Sequence, residues 1–296
     1  MARLNLMVYR HSAFYSPVIA GIAEGFFAAE GFQASYNVMP AKSSVGEMLA
    51  SGAIDVSQTA VSAGWDFLEK GERPPFLSFA QINRRDGFFI ASRRPQPDFR
   101  WDMLNSGRFM FAHGRQPEAM LAYALHRRHA SHAQIRMNGI DAGGPDAAMA
   151  AFRRGEGDWF HEQAPYPQQL EFEGKAHLVA SVDEAIGPVA FSSLAATPAW
   201  LKKPDAPRFV RAYAKARHWV GHARPSVVAA TIQSFFPGIA PEALTRAIET
   251  YQSMGCWGGS IAIDPGHYRT ALDVFAHSKL ISCRHPFETV ATALPA

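Results

Sequence analysis

The chain has 296 residues, of which 48% are hydrophobic and 19% are charged, and its formal net charge is +3. This length allows a sizeable buried core and a division into two lobes, and the composition is that of an ordinary globular protein. The net charge is too small to favour nucleic acid, and the arginines occur as pairs rather than as a basic run. We therefore predict no nucleic-acid partner.

Strands and helices alternate along the first ninety residues. The predicted strands cover 4–9, 33–39, 54–57, 76–80 and 87–91. A helix is predicted from Pro17 to Phe27, with Ser16 as its N-cap, and a second short helix opens at Glu47 and stops at Gly52. Two successive strand–helix units indicate a parallel α/β sheet, and ligands of such sheets bind at the carboxyl ends of the strands.

The later part of the chain repeats this alternation. The predicted strands cover 108–112, 133–138, 157–160 and 177–181. The predicted helices cover 116–128, 146–154, 198–201, 207–222, 241–253 and 265–277. The second set of strands and helices predicts a second α/β unit, and the C-terminal helices carry apolar residues at helical spacing, which is typical of packing.

The first sixty residues combine several short motifs. They are Ser16-Pro17-Val18-Ile19-Ala20, Gly25-Phe26-Phe27, Glu30-Gly31-Phe32 and Leu49-Ala50-Ser51-Gly52-Ala53-Ile54-Asp55-Val56. In this combination the chain resembles the NMT1/THI5-like group, the ABC-importer substrate-binding proteins of the sulfonate, nitrate, taurine and thiamine-pyrimidine type. Weaker similarity continues to about residue 225.

The resemblance implies an α/β fold of the type II periplasmic-binding-protein kind. Each of its two lobes is a mixed, mostly parallel sheet flanked by helices, and the ligand lies in a cleft that closes by a hinge motion. We expect one lobe to comprise 1–86 plus 190–296 and the other to comprise 87–189. The hinges are expected near 83–92 and 186–195.

Polar residues that follow the strands of the first lobe are candidates for ligand binding. They are Arg10, His11, Tyr15, Ser43, Ser44, Gln58 and Thr59, with Asn83 near the first crossing between lobes. A helix N-terminus after the first strand favours an anionic or acceptor-rich ligand. The alternative for these residues is a set of capped, solvated loops, since hydroxyl residues at a helix start are capping residues by default.

In the second lobe the candidates are His113 and Gln116, and then Trp159, His161 and Glu162. The segment 159–166 resembles the family element D-x-x-x-x-W-E-P-(Y/F), but here Trp159 comes three positions before Glu162 and two residues separate Glu162 from Pro165. Aromatic rings with a carboxylate are suited to a planar heterocycle. The alternative is that these side chains belong to the core.

No motif in the sequence indicates a cofactor or a metal. The chain contains no G-x-S-x-G elbow, no P-loop and no G-x-G-x-x-G, and His218 and His222 stand four apart without an H-E-x-x-H context. We predict no cofactor and no metal. If the chain were instead a cytosolic enzyme processing a heterocycle or aromatic acid in the cleft, His11, His161 or Glu162 would be the expected general base.

The sequence thus predicts a protein that binds a small polar molecule, planar or anionic, as an ABC-importer component with a permease as partner. We expect a monomer or a dimer. The start at Met1-Ala2-Arg3 shows no leader features, which favours the cytoplasm, or the periplasm if a leader has been trimmed. Cys256 and Cys283 fit no disulfide framework, which leaves two separate thiols or one disulfide open.

Overall fold

The computed structural model of the protein describes residues 1–40, 43–112 and 114–296. Within these ranges the strands are β1 Ala2–Val8, β2 Phe32–Val38, β3 Val56–Thr59, β4 Leu77–Asn83, β5 Phe88–Ser92, β6 Phe109–Phe111, β7 Gly139–Asp141, β8 Trp159–Gln163, β9 His177–Ser181 and β10 Ser192–Ala196. The strands form two five-stranded sheets, and each sheet has helices packed against it.

The helices of the described residues connect and cover these strands. They are α1 Ser16–Ala23, α2 Phe26–Ala29, α3 Val45–Ala50, α4 Ser62–Leu68, α5 Arg115–Arg127, α6 His132–Met137, α7 Pro145–Arg153, α8 Tyr166–Phe172, α9 Asp183–Ile186, α10 Pro198–Leu201, α11 Asp205–His222, α12 Pro225–Ile232, α13 Pro241–Ser253 and α14 Pro265–His277. None of the described helices is both long and apolar enough to cross a membrane.

The two sheets have matching strand orders. The first runs β2-β1-β3-β10-β4 and the second runs β7-β6-β8-β5-β9. In each sheet the first three strands are parallel, whereas β10 and β5 run antiparallel to both of their neighbours. The expectation of two lobes built on mixed, mostly parallel sheets is therefore confirmed.

The chain passes between the sheets twice, once from β4 to β5 and once from β9 to β10. Near the first passage, the Tyr251 hydroxyl of α13 donates to the Gly87 carbonyl at 2.8 Å and accepts from the Ala164 amide at 2.8 Å. A residue of the C-terminal helices thus holds both the crossing segment and the end of β8. The exact lobe and hinge boundaries given above stay a prediction.

Some element boundaries differ from the expected ones for local reasons. Ser16 is the first residue of α1 rather than its cap, and its hydroxyl donates to the Ala13 carbonyl at 2.6 Å. Gly25 adopts a φ of +79° and separates α1 from α2, so the predicted helix from Pro17 to Phe27 is two helices. Ser44, in contrast, does cap α3, because its hydroxyl accepts from the Glu47 amide.

The predicted strand over 133–138 is wrong. This segment lies in helix α6, which begins after Ser131, whose hydroxyl accepts from the Gln134 amide at 3.2 Å. Only Ile135 of this helix is buried, and the strand that follows, β7, covers just three residues. Apolar and polar residues alternate over 133–138 as they do in a strand, but the N-cap favours a helix.

Candidate ligand-binding cleft

A cavity of about 190 Å³ lies between the two lobes. Its aromatic lining consists of Tyr9, Tyr15, Phe88, Phe191 and Phe275. Its neutral polar lining consists of Gln58, Thr59, Ser62, Gln116, Gln163 and Ser192. The lining comes from both lobes, so a molecule in this cavity would touch both and would be enclosed between them.

The sheet topology places these residues together. Thr59 ends β3 and Gln163 ends β8, while Tyr9 and Arg10 follow β1 and Gly114 leads from β6 into α5. These are the carboxyl ends of parallel strands in two facing sheets, the edge at which α/β proteins bind their ligands. The cavity therefore occupies the place that the sequence predicts for the site.

The charged groups around the cavity are paired across the cleft. Nη1 of Arg10, from the first lobe, donates to Oε2 of Glu162 on β8 at 2.7 Å, and the Glu162 side chain is completely buried. Burial raises the pKa of Glu162, and the neighbouring Arg10 opposes that rise. Arg115, at the start of α5, donates to Asp66 of α4 and to the Leu280 carbonyl.

Gln116 adds a third connection between the lobes. Its Oε1 accepts from the Ser62 hydroxyl of α4 at 2.9 Å, and its Nε2 donates to the Phe191 carbonyl at 2.9 Å. Both ends of this one amide are used by groups of the opposite lobe. Together with Arg10 and Arg115, Gln116 connects the two sides of the cavity by hydrogen bonds.

One polar group that lines the cavity has no partner among the described residues. Gln163 is 1% exposed, and its Oε1 makes no hydrogen bond. Close by, the Tyr15 hydroxyl accepts from the Ser192 hydroxyl at 3.4 Å and is also hydrogen-bonded to the Gln163 side chain; burial raises the Tyr15 pKa, so this phenol stays neutral. An unsatisfied buried acceptor is costly, and a ligand N–H or O–H would satisfy it.

Five of the predicted site residues line the cavity. They are Arg10, Tyr15, Gln58, Thr59 and Gln116. Gln58 also supports the site, since its Oε1 accepts from the Tyr9 amide at 2.8 Å. Their place in the lining is an observation, whereas their contact with a ligand stays a prediction.

Two predicted histidines lie outside the lining. Nε2 of His11 donates to the Phe235 carbonyl and Nδ1 accepts from the Tyr36 hydroxyl, both at 2.8 Å, and the ring stacks on Phe236. His161 is 1% exposed, packs against Phe88, and has no hydrogen bond to either nitrogen within the described residues. Burial lowers the pKa of His161 to about 3.

Trp159 does not face the cavity, contrary to expectation. It is the first residue of β8, whereas the cavity lies at the last residue, Gln163. Four residues of extended chain separate these positions by roughly 13 Å. The indole donates to the Ser106 carbonyl at 2.8 Å and contacts the Phe99 ring. Trp159 is thus a core residue of the second lobe.

The remaining predicted residues have four different placements. Glu162 is hidden behind the lining, where it pairs with Arg10. Asn83 is fully buried beyond the lining, and neither polar atom of its side chain has a partner within the described part of the chain. Ser43 and Ser44 lie in the loop before α3 rather than in the cavity wall. His113 lies outside the described residues.

Several lining residues had not been predicted from the sequence. Ser62 and Asp66 belong to α4, Phe275 belongs to α14, and Gln163 and Ser192 lie on strands. Gln163 stood within the segment 159–166 singled out above, and a strand ending there would have pointed to it. Nothing local in the sequence distinguishes Phe275 from the other apolar residues of its helix.

Comparisons with known proteins give the fold an independent basis. No protein-family model matches the chain. YtlA of Bacillus subtilis (strain 168), named as a candidate binding protein, is 27% identical over 258 residues, which are 85% of this chain and 76% of YtlA.

Two solved structures are similar over almost the whole length. The alkanesulfonate-binding protein SsuA from Xanthomonas axonopodis pv. citri, bound to MOPS, has a TM-score of 0.75 at 15% identity and covers 99% of both chains. The periplasmic nitrate-binding protein NrtA from Synechocystis PCC 6803 has a TM-score of 0.67 at 12% identity, over 99% of this chain and 92% of that one. The chain therefore has the two-lobed periplasmic-binding-protein fold that its sequence predicts.

Proposed function

We propose that the protein binds a small planar organic molecule between its lobes and serves as the substrate-binding component of an ABC importer, with a permease as partner. The observation that carries this proposal is a cavity lined by both lobes and closed by side chains that reach from one lobe to the other. The fold shared with SsuA and NrtA supports a binding role, as does the similarity to YtlA. The importer role rests on the resemblance of the first sixty residues.

The chemistry of the lining favours a neutral planar ligand over an anion. Arg10 and Arg115 both line the cavity, but each is already paired with a carboxylate, Glu162 and Asp66. A sulfonate or nitrate would have to compete with those carboxylates for the guanidinium groups. The five aromatic rings and the neutral hydrogen-bonding groups instead suit a heterocycle such as a thiamine-type pyrimidine.

The alternative hypothesis of a cytosolic enzyme is less well supported by where its expected general bases lie. His11 is held by Tyr36 and Phe235, His161 lies buried behind Phe88, and Glu162 is paired with Arg10. None of these three expected bases lines the cavity.

An importer component works outside the cytoplasmic membrane, so the proposal goes with the leader-trimmed, periplasmic form.

A ligand screen tests the proposal directly. The purified protein is titrated by calorimetry with an aminopyrimidine, an aromatic acid, an alkanesulfonate and nitrate, and each mixture is analysed by NMR after release. Saturable binding of the pyrimidine, which is recovered unchanged, would support the proposal. Tighter binding of sulfonate or nitrate would overturn the neutral-ligand assignment, and conversion of any compound would favour the enzyme.

A further inference from the structure

A cluster of metal-ligating side chains lies away from the cleft, where the end of α4 meets the segment after α14. Glu69, Cys283 and His285 each offer a ligand atom, and these atoms lie within 4.8 Å of one another. Among the described residues, these three form the one group of His, Cys, Asp or Glu side chains whose ligand atoms lie this close together. None of the three side chains lines the cavity between the lobes.

The backbone around the cluster is fixed by several hydrogen bonds. The Ser282 amide donates to Oε1 of Glu69 at 2.9 Å, and the Tyr268 hydroxyl donates to the His285 carbonyl at 3.0 Å. His285 itself is buried, whereas Cys283 and Glu69 are exposed. The cluster is therefore held in place on one side and open to solvent on the other.

The tautomer of His285 follows from its partners. Nε2 lies 2.6 Å from Oε1 of Glu69, and an ionised carboxylate only accepts, so Nε2 carries the hydrogen. In the tautomer that carries its only hydrogen on Nε2, the Nδ1 lone pair is available, and Nδ1 lies 3.6 Å from Sγ of Cys283. A carboxylate that holds the second nitrogen of a histidine in this way is the usual support of a metal-binding imidazole.

The distance between the two remaining donor atoms matches a shared metal ion. Zinc–sulfur and zinc–nitrogen bonds of about 2.3 and 2.0 Å at a tetrahedral angle place the two ligand atoms roughly 3.5 Å apart. The separation of Sγ and Nδ1 is 3.6 Å, which matches the spacing that one shared ion requires. Thiolate and imidazole are ligands that zinc prefers.

We propose that Cys283 Sγ and His285 Nδ1 bind one zinc ion, with Glu69 as the carboxylate that orients the imidazole and with water in the remaining positions. On binding, the Cys283 thiol loses its proton to solvent, and a sulfur–zinc and a nitrogen–zinc bond form. This site is distinct from the ligand cleft, and it does not depend on the proposed importer function.

Cobalt(II) is a spectroscopic probe for this site because a cobalt–thiolate bond gives a sulfur-to-metal charge-transfer band in the near ultraviolet. The reduced, metal-free full-length protein is titrated with cobalt chloride, and zinc chloride is then added. We expect the band to saturate at one equivalent, to disappear when zinc replaces cobalt, and to be absent in Cys283→Ser. Glu69→Gln should retain the band but weaken cobalt binding by about 10- to 100-fold.

A matched control separates this cluster from the other metal-binding candidate. His218 and His222 stack at 4.1 Å on the surface of α11 and offer two imidazoles without a thiol. His222→Ala should leave the charge-transfer band and its midpoint unchanged. A band that persists in Cys283→Ser, or no band in the unmodified protein, would overturn the proposal.

Discussion

Arg115 of the second lobe donates one hydrogen bond to Asp66 and another to the Leu280 carbonyl, both of which belong to the first lobe. The guanidinium therefore spans the mouth of the cleft. Each contact is partly solvated, since the Arg115 and Asp66 side chains are 45% and 44% exposed. Contacts of this kind are strong enough to bias closure and weak enough to permit opening.

Replacing Arg115 with Gln should open the ligand-free protein. Loss of a partly exposed ion pair costs up to about 1 kcal/mol, which shifts a closed–open equilibrium about fivefold. Small-angle X-ray scattering should show a larger radius of gyration, while the free energy of unfolding changes little. Arg154→Gln breaks an exposed pair with Glu156 within the second lobe and should leave the radius unchanged. Equal radii for both variants would contradict a role of Arg115 in closure.

Replacing Gln163 with Met should weaken ligand binding while changing the stability of the free protein only slightly. The Oε1 that the ligand would satisfy is lost, which costs about 1 kcal/mol in binding and lowers affinity about fivefold. In the free protein the substitution removes an unsatisfied buried acceptor, which favours folding, and the hydrogen bond to Tyr15, which opposes it, so the free energy of unfolding should change by about 1 kcal/mol or less. Calorimetry with the compound selected by the screen measures the first effect, and urea unfolding of the free protein measures the second.

Gln168 provides the matched control for that experiment. It is 2% exposed, both polar atoms of its amide lack partners among the described residues, and it lies in α8 outside the cavity lining. Gln168→Met should leave ligand affinity unchanged. If the two variants lost affinity equally, Gln163 would have no specific role in the site.

The sequence predicted eight of the ten described strands because apolar spacing and glycine punctuation are local signals, whereas β7, β10 and the helices α4, α8 and α12 are not among its predicted elements. It placed the site at the carboxyl ends of the strands because that rule depends only on parallel topology. The strand predicted over 133–138 is wrong. Apolar and polar residues alternate there, a pattern that fits a strand but also fits a mostly exposed helix with one buried residue. The local signal that favours the helix is Ser131, which caps it.

The error at Trp159 has a different origin. The predicted strand over 157–160 starts two residues before β8 and ends three residues too early, and the segment 159–166 is predicted to be a loop at the cleft. The strand in fact ends at Gln163, which lines the cavity, and Trp159 lies at the opposite end of β8. The pairing of Arg10 with Glu162, 152 positions apart, depends on how the lobes meet, and no local pattern encodes it.

Replacing Arg10 alone should lower the free energy of unfolding more than replacing Arg10 and Glu162 together. Arg10→Met leaves the Glu162 carboxylate buried without its partner, which costs on the order of 3 kcal/mol, whereas Arg10→Met with Glu162→Gln should recover most of that loss. Without Arg10, the Glu162 pKa rises further above its ordinary value, so the native state binds the proton more tightly than the unfolded chain. The single variant should therefore lose less stability at pH 5 than at pH 7, as urea unfolding at both values measures.

His161 should make the fold sensitive to acid. Its pKa is about 3 in the folded protein, mainly because of burial, against 6.5 for the ordinary imidazole. Between these values the unfolded chain binds the proton and the native state does not, so the free energy of unfolding falls as the pH drops below 6.5. From pH 7 to pH 5 this residue should account for a loss of about 2 kcal/mol.

Replacement of His161 with Leu tests this acid sensitivity. The variant has no proton to gain at this position, so its free energy of unfolding should fall by about 2 kcal/mol less than that of the unmodified protein between pH 7 and pH 5. His218→Leu, on the exposed face of α11, controls for the loss of a histidine and should keep the full difference. An identical pH dependence in His161→Leu and the unmodified protein would show that His161 becomes protonated without unfolding, through local opening of the contact between its ring and Phe88.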